Sequence, residues 1–181
     1  MKKSMYVFLT LVLVSFSVNA QVTRLQANQD ESFIKYKLTH PLHEVEAISK
    51  KGICIVNADT AAKKIKQTLV EVGVTTFDSG NSNRDSHAME VIDAISYPSA
   101  KFLSSDIVYK RDTLIISGSM TFHGIKKNII FDAVQKWTND KIEIDGSFKL
   151  SLTAYKVDRP TLLLMPVDDD LTFSFKEVFN L

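Results

Sequence analysis

Strict two-residue alternation over 141–154 limits this chain more than any other feature. Ile142, Ile144, Gly146, Phe148, Leu150, Leu152 and Ala154 alternate with Lys141, Glu143, Asp145, Ser147, Lys149, Ser151 and Thr153. Successive side chains of a strand point to opposite faces, so one face is dry and the other wet. A helix would scatter the same lysines and phenylalanines around its circumference. The pattern recurs in Ile34, Tyr36 and Leu38, in Val70, Val72 and Val74, in Leu114, Ile116, Gly118 and Met120, and in Leu171, Phe173 and Phe175. Segments 44–58, 98–110 and 127–137 also read as strands, each apolar at some positions of both phases. Within 98–110 the phase slips between Phe102 and Ile107, which predicts a bulge near Ser104–Asp106. The count is eight main strands, with a further short one at 21–26.

The connections Lys110-Arg111-Asp112, His123-Gly124-Ile125-Lys126 and Thr138-Asn139-Asp140 are short and polar. Parallel neighbours need long crossovers, so these links predict an antiparallel sheet. Closing it into an all-β, eight-stranded barrel removes the exposed edges; an open two-sheet sandwich is the alternative. One segment breaks the rhythm. After the turn-rich 78–83, Ala88, Val91, Ile92 and Ile95 are spaced as one face of a short helix at about 83–95. Ser82 or Asn83 is its expected N-cap, Asp85 suits its first turn, and Tyr97-Pro98 ends it. Inserted between two strands, it is expected to cover one end of the barrel and to carry Arg84 and His87 to the rim.

Residues 1–20 read as a cleavable signal peptide. Lys2 and Lys3 precede the apolar run 7–14, and Val18-Asn19-Ala20 offers a cleavage site before Gln21. The run is shorter than the ~20 residues of a spanning helix. The mature chain, 21–181, is then one exported domain, periplasmic or secreted. Of 22 basic and 21 acidic residues, the leader removes two lysines. That balance offers no basic face for nucleic acid. Cys54 is the single cysteine, so no internal disulfide forms, and its apolar neighbours predict a buried strand thiol.

Chemical motifs are sparse. His40-Pro41-Leu42-His43 is the one close histidine pair, and it lies in a turn where its rings share no regular face; no metal site is expected. Ser79 or Ser82 with Asp85 and His87 compose a hydrolase on paper, but the chain lacks a Gly-x-Ser-x-Gly elbow and any β/α alternation. Asp168-Asp169-Asp170 lacks the spaced ligands of a calcium loop and reads as a solvated turn. Lys126 and Lys127 either keep their turn soluble or meet an anionic head group. Phosphate loops, dinucleotide fingerprints and zinc-type cysteines are missing, so neither a cofactor nor an enzymatic activity is expected.

The block Ser79-Gly80-Asn81-Ser82-Asn83-Arg84-Asp85-Ser86-His87, followed by Tyr97-Pro98-Ser99-Ala100-Lys101-Phe102, resembles the YceI-like family. Leu38-Thr39-His40 and Gly118-Ser119-Met120-Thr121-Phe122-His123-Gly124 fit the same pattern in order. The resemblance implies a lipocalin-like eight-stranded barrel in the periplasm, holding a polyisoprenoid or related amphiphile such as an isoprenoid quinone, with transient membrane contact. It adds no catalytic residue. The sequence departs from the commonest family pattern at Ala88-Met89-Glu90-Val91-Ile92-Asp93 and at 155–164, two segments expected to border the pocket. The inward rows assign the ligand's chain to Tyr36, Leu38, Val72, Phe102, Ile116, Met120, Ile144, Phe148, Leu150 and Phe173. Arg84, His87 and His123 either contact a head group or pin the helix and turns over the barrel end. Alternation alone leaves open whether the interior is hollow or filled by its own side chains, in which case the barrel would serve as an interaction or stress-response module.

Overall fold

The computed structural model describes residues 22–181, and the signal peptide expected at 1–20 lies outside the described residues. The strands are β1 (Val22–Gln26), β2 (Phe33–His40), β3 (His43–Ser49), β4 (Ile53–Asp59), β5 (Lys64–Gly73), β6 (Ser99–Lys110), β7 (Thr113–Phe122), β8 (Ile125–Trp137), β9 (Lys141–Ser151), β10 (Thr161–Leu162), β11 (Met165–Pro166) and β12 (Asp170–Asn180). Helix α1 (Ser82–Val91) lies between β5 and β6. Ten strands form one sheet in the order β1-β4-β5-β6-β7-β8-β9-β12-β2-β3, and β10 and β11 make a separate two-residue hairpin. Every pairing is antiparallel.

The sheet curls until its edges approach. Ile48 of β3 and Asp78, just past β5, exchange both backbone hydrogen bonds at 3.0 Å. Beyond β1, the Ala27 N–H donates to the Cys54 carbonyl (2.8 Å) and the Asn28 N–H to that of Val178 on β12 (2.7 Å). The result is an antiparallel, lipocalin-like barrel with an incomplete seam between its edge strands, β1 and β3. Its inward rows, including Cys54, Val56 and Ala58, Leu114, Ile116 and Met120, Ile142 and Ile144, and Leu171 and Phe173, form one apolar core.

Two inward glycines let aromatic rings cross this interior. A Cβ at Gly118 would lie 2.5 Å from the Leu103 carbonyl oxygen and run into the Phe102 ring. One at Gly146 would stand 2.6 Å from Cζ of Phe175, its cross-strand partner. Each ring occupies the space its facing glycine leaves.

The bulge in β6 falls where the phase slip predicts it, with the register shifting between Ser104 and Asp106. Its bend turns the Ser104 hydroxyl inward to accept the Thr68 N–H at 2.8 Å. Other expectations are corrected. The main sheet has ten strands, where eight main ones and a short one at 21–26 were expected; β1 is that short strand, and the tenth arises from 44–58. Segment 44–58 is two strands, β3 and β4, which do not pair with each other. Its inward residues are Ala47 and Ser49 before the break at 50–52, and Cys54, Val56 and Ala58 after it; the mixed phase recorded that break. The helix is shorter than 83–95, and its N-cap is Asn81, whose Oδ1 accepts the N–H groups of Asn83 and Arg84, each at 3.1 Å. The long alternating segment leaves the sheet after Ser151 for a single 3-10 turn, Thr153–Tyr155. Asp169 fixes that exit, accepting from the Ser151 hydroxyl (2.5 Å) and the Thr153 N–H (2.9 Å), and these bonds hold its carboxyl below the usual range.

Candidate functional site

The barrel interior contains two apolar chambers in line. The outer, about 300 Å³, opens at the end covered by α1 and the β10–β11 hairpin. Tyr36 and Leu38 on β2, Val45 on β3, Ala88, Val91 and Ile92 on α1, and Leu152, Val157 and Leu162 contribute to its wall. The inner, about 70 Å³, is lined by Val72, Phe102, Ile116, Met120, Phe131, Ile144, Phe148 and Phe175. Ala100 and Phe173 belong to both walls, so these residues divide the chambers.

Aromatic packing accounts for the small inner volume. Phe148 stacks on Phe173 at 5.3 Å between centroids, and Phe131 meets Phe102 at 5.3 Å, Phe148 at 5.0 Å and Phe175 at 5.9 Å. Such offset and edge contacts add roughly 0.5–1.5 kcal/mol each beyond area burial. Farther along β12, buried Glu177 extends the inward row of Phe173 and Phe175 and touches the inner chamber. Burial raises its pKa to about 8, opposed only in part by a hydrogen bond with the Ser32 hydroxyl. The carboxyl is therefore mostly protonated at neutral pH. Cys54, buried on β4, borders the same chamber; desolvation and then the nearby Glu177 push its thiol well above the ordinary range.

At the outer end α1 acts as a cover with no buried residue of its own. Asp85 ties it down, its Oδ1 accepting the Ser79 N–H at 3.1 Å. Burial raises the pKa of the Tyr36 phenol; the Asp85 charge adds to this and that of Arg84 opposes it. Arg84 and His87 line the outer chamber from exposed positions. His87 Nδ1 lies 3.7 Å from Glu90, and the Asp85 carboxylate is engaged by backbone, so no hydrolase relay is assembled.

The remaining expected residues divide. Tyr36 and Leu38 face the outer chamber; Val72, Phe102, Ile116, Met120, Ile144 and Phe148 face the inner; Phe173 faces both. Leu150 is buried in the core outside both walls. His123 also lies outside them. It pins structure: Nδ1 bonds the Tyr155 carbonyl at 2.9 Å, and its ring packs on Tyr97 at 4.3 Å. His40 accepts the Leu42 N–H on Nδ1 (3.2 Å), so Nε2 carries the proton and donates to the Met165 carbonyl (3.1 Å). This joins the β2–β3 turn to the β10–β11 hairpin. Among the described residues, no three His, Cys, Asp or Glu side chains group as metal ligands.

Both segments that depart from the commonest family pattern reach the outer chamber, through Ala88, Met89, Val91 and Ile92 and through Val157, Pro160, Thr161 and Leu162. Sequence reasoning missed Glu177, although its place two residues beyond Phe175 on an apolar row was a signal. It also missed Phe131, whose strand carries apolar residues in both phases.

A one-sheet antiparallel barrel with an apolar interior open at a helix-covered end defines a lipocalin-like class. The chain belongs to the YceI-like family, whose domain model matches residues 25–179. Protein YceI of Escherichia coli O157:H7 is 24% identical over 172 residues, covering 87% of this chain and 88% of that protein. Among solved structures, Burkholderia cenocepacia BcnA superposes with a TM-score of 0.76 at 20% identity, over 84% of this chain and 98% of that one. A polyisoprenoid-binding domain from Saccharophagus degradans, implicated in plant cell wall breakdown, gives 0.71 at 9% identity, over 88% and 99%.

Proposed function

We propose that this protein is an exported lipid-binding protein that holds the apolar chain of a polyisoprenoid or related amphiphile, such as an isoprenoid quinone, in its lumen and carries or buffers it. The outer chamber is the observation that carries the reading: about 300 Å³, with a mainly apolar wall whose polar groups include Arg84, Asp85 and His87, and open at one end. That volume lies at the lower edge of the ~300–1,000 Å³ common for small-molecule sites. Family membership and the polyisoprenoid-binding neighbour support a chain-like ligand. Arg84 and His87 stand where a polar head would emerge.

Burying a prenyl chain gains ~0.8 kcal/mol per methylene against water, and close to nothing against a bilayer. A barrel of this kind therefore suits exchange with membranes better than permanent extraction. A long chain must displace Phe148 and Phe173 to pass inward, so chain length is read at that point. The polar groups at the mouth lack a relay for bond cleavage, which favours binding over catalysis. Native mass spectrometry and organic extraction of the purified protein test the reading. A stoichiometric amphiphile, or saturable uptake of a prenylquinone, is expected; repeated absence of both would overturn it.

A further inference from the structure

The turn between β10 and β11 breaks two local rules at once. Leu162 pairs with Met165, leaving Leu163 and Leu164 as a two-residue loop. Both have positive φ, 51° and 65°, a left-handed conformation that favours asparagine, aspartate or glycine. The β7–β8 turn fills the same two left-handed positions with His123 and Gly124, at 47° and 69°. Leu163 and Leu164 are also 73% and 98% exposed. Strained and water-facing, they cost the isolated fold stability without packing against it.

Their position supplies the reason. Thr161 and Leu162 of the same hairpin line the outer chamber, so the tip projects beside the opening. The His40 bond to Met165 fixes the β2–β3 turn alongside, and that turn carries Leu42, 58% exposed. We propose that this leucine-tipped rim, Leu42 with Leu163 and Leu164, inserts into the interfacial region of a lipid bilayer and docks the mouth of the barrel on it.

Three leucines on two narrow turns fall far short of the ~1,000 Å² expected of a specific protein interface. A bilayer accepts isolated apolar side chains without shape complementarity, and aliphatic tips suit its headgroup–acyl boundary. Docking there joins the apolar lumen to the acyl phase, so a chain crosses without passing through water. The inference rests on the lipid-carrier reading for its purpose, but its test does not.

The test is Leu163→Asn/Leu164→Gly in the full chain, which installs residues suited to the turn and removes the apolar tip. Partitioning onto phosphatidylethanolamine–phosphatidylglycerol vesicles is measured by sedimentation, together with thermal midpoint and extractable lipid. Expected are a loss of partitioning of about tenfold or more, a midpoint equal to or above that of the unsubstituted protein, unchanged lipid content, and slower exchange of a prenylquinone between protein and vesicles. Partitioning equal to that of the unsubstituted protein would overturn the proposal. So would a concentration-dependent dimer that the same double substitution abolishes. Absence of lipid from both proteins, with partitioning still lost in the variant, would instead strike the carrier reading and leave the docking surface standing.

Discussion

The two halves of the barrel share one sheet and one inward phase, yet only one has substantial space. In the inner half, Phe102, Phe131, Phe148 and Phe175 fill the cross-section, and Gly118 and Gly146 admit two of those rings. The outer half is walled mostly by shorter aliphatic groups such as Leu38, Val45, Val74 and Leu152, with a helix laid across the opening. The difference shows that alternation decides which side chains enter a barrel, while ring size and facing glycines decide whether they fill it. Phe173, on both walls, is the boundary.

The most forceful way to break that boundary is Phe173→Ala. It should cost ~3–5 kcal/mol in a denaturant titration and merge the chambers, so that longer prenyl chains bind relative to short ones; an unchanged chain-length preference would contradict the assignment. Next is Glu177. Burial pushes its carboxyl up to about 8 in the folded protein, against 4.5 for a free glutamate, so across that interval the folded protein holds the extra proton. Stability from this group is therefore fullest below about pH 4.5, falls as pH rises toward 8, and levels off above, a change on the order of 5 kcal/mol. Glu177→Gln should flatten that slope. Gly118→Ala tests the packed half from the opposite strand: its methyl meets the Phe102 ring and the Leu103 carbonyl, a loss of about 1–3 kcal/mol. The mildest perturbation of the fold is Ala88→Trp, on the face of α1 that lines the mouth. It should move stability by less than about 0.5 kcal/mol and lower prenylquinone uptake by about tenfold, a loss of ~1.4 kcal/mol, as seen by fluorescence quenching.

Much of the fold was legible because its signals are local. The rows Ile142–Leu152 and Leu114–Met120 alternate cleanly since one side meets water and the other meets the core. The β6 bulge showed as a phase slip, and the helix as a change of period. The β3–β4 break was harder: Lys50-Lys51-Gly52 marks it, but apolar residues in both phases masked the end of one strand and the start of the next. Site residues were legible as a face and not as a depth. Alternation placed Leu150 and Phe148 on the same row, but only packing from neighbouring strands puts Phe148 on a chamber wall and Leu150 behind one. His123 illustrates a related limit. A histidine in a turn beside the mouth has the chemistry of a head-group contact, while its partners Tyr155 and Tyr97 lie 32 and 26 positions away in the chain. The β10–β11 hairpin escaped notice because two leucines carry no turn signal.

The central claim is that the outer half of the lumen is hollow and takes an apolar chain while the inner half is packed. Methyl NMR during titration with a short-chain isoprenoid quinone tests it most directly. Saturable shifts are expected at Leu38, Val45, Val91, Leu152 and Val157, with Ile116 and Ile144 nearly unmoved. Shifts confined to outward-facing methyls such as Ile130 and Val134, or no saturable shift at all, would contradict it.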